Sequence, residues 1–200
     1  MCRILFSALA TLIVPVGLFA QAVAPGPSDA FQIRYAANLN LGDSVIDITN
    51  AGTLNGYDPT GTICVNMYAF DPNEEEISCC TCRVTPNGLN SVSVNGQLAS
   101  NPLTPAHPTS VVIKLLASNG AYGCNAAAPG PLVSGLRAWG TTLHKLPSGG
   151  VALTETEFAP ATLSATELGK ITSYCGFIQA NGSGFGICAG CSTGGLAVAK

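Results

Sequence analysis

The side chains best placed to do chemistry are sulfurs. Cys79, Cys80 and Cys82 crowd into Ser78-Cys79-Cys80-Thr81-Cys82, and Cys188 and Cys191 form a Cys-x-x-Cys near the C-terminus. Thiolates at this density can hold zinc or an iron–sulfur cluster. A Cys-x-x-Cys at a helix N-terminus can exchange disulfides. In an oxidising compartment the same residues become a covalent framework. The compartment therefore decides the chemistry.

The first residues read as a secretory signal peptide. Arg3 precedes an almost unbroken apolar run from Ile4 to Ala20, and Ala20-Gln21-Ala22 supplies an A-x-A cleavage site. Cutting residues 1–22 from 200 leaves 178 and removes Cys2. The chain is then expected to be secreted, at the cell surface, or periplasmic if retained, with no stable transmembrane segment after cleavage. Eight cysteines remain: Cys64, Cys79, Cys80, Cys82, Cys124, Cys175, Cys188 and Cys191. An even set in an exported chain reads as disulfides, with 105 possible pairings. Alternation along a strand sends Cys80 and Cys82 to one face and Cys79 to the other. The cluster must then be tied to at least two places, unless Cys79 and Cys80 join as a vicinal pair. Closing Cys188 onto Cys191 would stabilise by ~2 kcal/mol, whereas a bridge from the cluster to the tail gives ~4.8 kcal/mol. The tail is the expected partner, with Cys175 tying a helix to the sheet.

Other chemistries lack their context. Ser192, not His, follows Cys191, which excludes c-type haem attachment. The Cys188-x-x-Cys191 pair follows a helix and a loop, where nothing lowers a thiol pKa. Gly190-Cys191-Ser192-Thr193-Gly194 matches a nucleophile elbow in letters, but no Asp or His lies downstream. Gly182-x-Gly184-x-Gly186 lacks the strand and helix of a dinucleotide fingerprint. His107 sits between prolines and His144 on a strand, without metal-ligand spacing. The acidic run Asp71 to Glu76 offers oxygen ligands for Ca²⁺ but reads first as a solvated turn. Glu155 and Glu157 share a strand face, where exposed acids are ordinary. No catalytic residue, cofactor or metal ligand is assigned.

The elements that must position the cysteines are mostly strands. Period-two alternation runs over Phe31–Leu39, Ser44–Thr49, Gly61–Phe70, Ile77–Val84, Val92–Val94, Ser110–Leu116, Leu136–Leu146 and Val151–Phe158. In the third of these, Ile63, Val65, Met67 and Ala69 share one face and Cys64, Asn66, Tyr68 and Phe70 the other. Asn95-Gly96 reads as a hairpin turn. Residues 23–30 form a flexible Pro/Gly lead-in. One helix, at about 165–180, opens with the capping box Ser164-Ala165-Thr166-Glu167 and carries the stripe Leu168, Ile171, Cys175 and Ile178; Asn181-Gly182 caps its end. The expectation for residues 31–200 is one mainly β domain. It would be an antiparallel β-sandwich, immunoglobulin-like or jelly-roll-like, with one C-terminal α-helix and a disulfide-tied Gly-rich tail.

Charged residues make up 10% of the chain, and the net charge is −3. Lys and Arg are scattered, so nucleic acid is not an expected partner. Export, low charge and the lack of a catalytic set point to a structural or adhesive protein at the cell surface or beyond. Its partners would be copies of itself or extracellular polymers. Strand Phe31–Leu39 could be donated to a neighbour, although pairing within its own chain is favoured. A carbohydrate or small-ligand module using Trp139, Tyr57 or Tyr68 is the alternative, and an exported hydrolase or a thiol or metal protein the next.

Overall fold

Alternating residues build nine strands and one α-helix among the described residues of the computed structural model, which covers 26–54, 61–101, 103, 107–183 and 191. In chain order these are β1 (Phe31–Ala36), β2 (Val45–Asn50), β3 (Ile63–Phe70), β4 (Glu76–Val84), β5 (Leu89–Ser93), β6 (Val111–Asn119), β7 (Leu136–Lys145), β8 (Val151–Glu157) and β9 (Ala159–Pro160), then α1 (Ala165–Ile178). They form two antiparallel sheets, ordered β4-β3-β6-β1-β9 and β5-β2-β7-β8. Phe158 carries the chain from the edge of one sheet to the edge of the other, its N–H bonded to the Ala138 carbonyl.

The arrangement is sandwich-like because both sheets contribute to one apolar core. Ile63, Val65, Met67 and Ala69 of β3 meet Ile46 and Ile48 of β2, Val92 of β5 and Leu136 and Ala138 of β7. The opposite face of β3 is buried as well. Tyr68 joins Phe31, Cys79, Leu116, Ala126, Ile171, Cys175 and Ile178 in a second core beneath α1. β3 is thus sealed on both faces, which accounts for the burial of every residue from Ile63 to Ala69.

β1 pairs with β6 of its own chain over six residues, so its backbone is engaged internally. The strand stops at Ala36, three residues short of the expected Leu39, because Asn38 turns into the left-handed region at φ 58°. Its polar face is the one that points between the sheets. Gln32 donates to the Leu136 carbonyl at 3.0 Å. Arg34, only 7% exposed, donates to the Thr141 carbonyl and the Thr142 and Thr156 hydroxyls, with its guanidinium 6.0 Å from the Phe158 ring centroid. Burial is the larger influence on Arg34 and lowers its pKa, while Glu155 opposes it. Space for this side chain comes from Gly140, where a Cβ would lie 2.7 Å from the guanidinium.

Three turn and cap signals play out differently from the sequence expectation. Asn95-Gly96 sits within a π turn, Val94–Leu98, instead of a hairpin; Ser93 Oγ accepts from the Gly96 N–H and Asn95 donates to the Leu39 and Gly42 carbonyls. The Ser164 hydroxyl accepts from the Glu167 N–H as a cap should, but the Glu167 carboxylate turns to Lys114 instead of reaching back. Beyond Ile178 the chain continues through a π turn, Gln179–Ser183, and the Asn181 side chain bonds the Phe177 carbonyl. Gly182 is therefore not a left-handed cap. The lead-in also acquires partners: Ala30 is buried, its carbonyl accepting from Ala117, and Asp29 accepts from Gly135 and Arg137. No helix of the described residues is long and apolar enough to cross a membrane.

Candidate functional site

Strand alternation organises the sulfur cluster. β4 pairs β3 with Cys79 opposite Tyr68, Cys80 opposite Met67 and Cys82 opposite Val65. Cys79 therefore faces the core beneath α1, and Cys80 and Cys82 face the core between the sheets. Cys79 bridges to Cys175 on the helix, with Cα atoms 5.6 Å apart. Cys82 bridges to Cys191 of the tail at 5.3 Å, and Cys64 to Cys124 at 5.3 Å. These separations are those of ordinary disulfides. Cys80 is disulfide-bonded too; Cys188 lies outside the described residues. One strand thus pins the helix on one face and the tail on the other.

Every described cysteine is in a disulfide, and an S–S sulfur has no thiolate to offer a metal or a substrate. A carboxylate oxygen of Glu76 and the sulfurs of Cys79 and Cys175 lie within 4.8 Å of one another, close enough for metal ligands. Two of those three donors are bonded to each other. The acidic turn is likewise committed: the Asp71 carboxylate accepts from the backbone N–H groups of Asn73 and Glu75 and from the Asn73 side chain. It braces a turn.

Glu76, at the start of β4, is the unusual titrating group. Both carboxyl oxygens are buried without a hydrogen-bond partner. Burial pushes the carboxyl up to about 8, with Lys114 opposing and Glu167 adding to the rise. Lys114 does not rescue it, because its ammonium pairs with Glu167 and sits 4.2 Å from the Phe70 ring centroid. The carboxyl is therefore mostly protonated at neutral pH. Burial, and then Glu76, hold the neighbouring Tyr68 hydroxyl well above its ordinary value.

The three aromatic ligand candidates separate. Tyr68 is fully buried and its hydroxyl donates to the Ala126 carbonyl at 2.7 Å, so it is a core residue with no face for a ligand. Tyr57 lies outside the described residues. Trp139 is half-buried on the outward face of the four-stranded sheet, with Asp47 and Glu157 opposite it on the two neighbouring strands. The exposed aromatics Tyr174 and Phe177 escape a reading based on the apolar stripe of α1, since they lie off it. Their spacing of three residues, which keeps them adjacent on the helix surface, is the signal that could have found them.

The edges of the sheets differ in how they are covered. β9 is two residues long and ends at Pro160, which has no N–H to donate. Beside β4, Ser78 donates to the Leu98 carbonyl and Asn90 to the Arg83 carbonyl. β8 is different. It is the outer strand of its sheet, and six of its seven residues are exposed. Val151 is 49% and Leu153 60% exposed. His144, on the paired strand, bonds the Thr154 hydroxyl at 2.8 Å. No family model, curated protein or solved structure matches this chain.

Proposed function

We propose that this protein is an exported, disulfide-locked structural or adhesive module, acting at the cell surface or beyond, that associates with copies of itself by strand addition along β8. The disulfides fit an oxidising compartment. The observation that carries the assembly reading is the edge of β8, which no other described strand pairs, with Val151 and Leu153 exposed on it. A long edge strand with free N–H and C=O groups is a template for another chain, and monomeric proteins usually blunt it with charge, proline or a covering element. Glu155 and Glu157 guard one half of β8; the Val151–Leu153 half has no such guard.

Two copies meeting in two-fold antiparallel fashion about Thr154 would place Leu153 opposite Glu155 of the second copy and Val151 opposite its Glu157. No like charges oppose in that register, and the two four-stranded sheets become continuous. Sedimentation velocity on the disulfide-bonded chain lacking residues 1–22 tests this over a concentration series. The wild type is expected to associate as concentration rises, and Leu153→Lys to remain monomeric. A wild-type chain that stays monomeric throughout refutes the reading.

The outward position of Trp139 favours a second reading, an oligosaccharide platform on the four-stranded sheet. Trp139 is the only tryptophan, so a saturable change in intrinsic fluorescence on titrating a soluble oligosaccharide would support it directly. An unchanged spectrum counts against it.

A further inference from the structure

α1 is bolted to β4 by Cys79–Cys175, and beside that bolt lies a cleft of about 650 Å³ between the helix and the turn that opens β4. Its helix wall is Tyr174 and Phe177, exposed by 57% and 58%, and Leu103 stands exposed at the rim. Its opposite wall is Glu74, Glu75 and Glu76. Among the described residues, no Lys, Arg or His lines this cleft. The side chains of Glu74 and Glu75 enter no hydrogen bond or ion pair, and the buried carboxyl of Glu76 has no hydrogen-bond partner.

This combination is unlike an ordinary solvated acidic turn. Large aromatic side chains held half out of a rigid helix are what interfaces use as anchors, because they bury much area and lose little conformational freedom. Carboxylates opposite aromatic faces select one kind of guest: a cation whose stem lies on the rings while its head meets the acids. Of the described cations, Lys114 is paired with Glu167, and Lys170 lines an adjoining cleft that shares Glu74 and Tyr174 with this one.

We propose that this cleft docks a basic peptide segment of a partner protein, an arginine or lysine side chain lying against Tyr174 and Phe177 with its charge on Glu74 and Glu75. The site is on the helix side of the five-stranded sheet and does not involve β8, so it stands or falls independently of self-association.

Fluorescence anisotropy with a labelled hexa-arginine peptide tests it on the full disulfide-bonded chain carrying Leu153→Lys, with hexaglutamate and a neutral oligosaccharide as parallel probes. Saturable binding of hexa-arginine, weakened by added salt, is expected. Tyr174→Ala should weaken it about 30-fold, as loss of an interface anchor does. Glu75→Gln should weaken it about 3-fold, as loss of an exposed charge does. Both residues are exposed, so each variant should keep the wild-type far-ultraviolet circular dichroism and urea midpoint. Absence of hexa-arginine binding overturns the proposal. Equal binding by wild type and both variants overturns it too, since the peptide then sits elsewhere. Displacement of the peptide by the oligosaccharide would assign the cleft to a sugar instead and likewise overturn it.

Discussion

Replacing Glu76 by Gln should stabilise the protein at neutral and alkaline pH. The carboxyl is buried without a hydrogen-bond partner and is pushed from 4.5 to about 8. A carboxyl whose folded pKa is raised favours folding while it is protonated. Its contribution is complete below about pH 4.5 and is lost as pH rises toward 8. At about 1.4 kcal/mol per pH unit, the gap corresponds to about 3 kcal/mol at pH 7 and a ceiling of about 5 kcal/mol above pH 8. Gln has nearly the same shape and no charge to bury. Glu76→Gln should therefore match the wild type at pH 4 and exceed it progressively above pH 5, most at pH 8 and beyond. The charges that act on Glu76 are those of Lys114 on β6 and Glu167 on α1, with Tyr68 of β3 beside it and Glu74 and Glu75 on the same cleft wall. Lys114 and Glu167 pair with each other, and burial keeps Tyr68 neutral. The expected pH dependence is thus that of one carboxyl. Urea unfolding with disulfides intact, at pH 4 to 9 for both proteins, measures it. A stability difference that does not change with pH would refute the reasoning.

Gly140→Ala should cost about 1–3 kcal/mol, because its methyl would fall on the pinned guanidinium of Arg34. In an Arg34→Ala background that cost should largely vanish, and a double-mutant cycle by urea unfolding reads the coupling. Removing the bolt with Cys79→Ser plus Cys175→Ser reopens a connection of 96 residues and should cost about 3–5 kcal/mol. Hydrogen exchange should show α1 losing protection before the sheets do, and simultaneous loss everywhere would contradict a separately tethered helix. Non-reducing peptide mapping should join Cys80 to Cys188, and a vicinal Cys79–Cys80 bridge would contradict the pairing of Cys79 with Cys175.

How much was legible follows from which interactions are local. Alternation is a property of the chain itself. The two faces of β3, the split of Cys79 from Cys80 and Cys82, and the Ser164 cap could all be read from residue order, because backbone pleat and capping act over two or three positions. Cysteine parity in a chain with an export-like N-terminus likewise pointed to disulfides over thiolates. Local rules failed where a distant element supplied the partner. Glu167 leaves the capping box because Lys114 on β6 offers a charge. Arg34 enters the space between the sheets because Gly140 and two threonines from another sheet make room and accept its hydrogens. Tyr68 reads as an available aromatic until α1 and the loop through Ala126 close over it.

The sulfur cluster shows the same division. By itself the sequence determined that Cys79 had to leave one face of its strand and Cys80 and Cys82 the other, since the pleat allows nothing else. Only the tertiary structure decided that the first face meets Cys175 on α1, that the second meets Cys191, and that Glu76 is left buried beside the first bridge without a hydrogen-bond partner. Among the described residues, the same packing leaves β8 as an outer strand and Tyr174 and Phe177 exposed. Those outcomes depend on which surfaces reach each other across about a hundred residues of chain, and pairing at that range is set by packing, which no local pattern encodes.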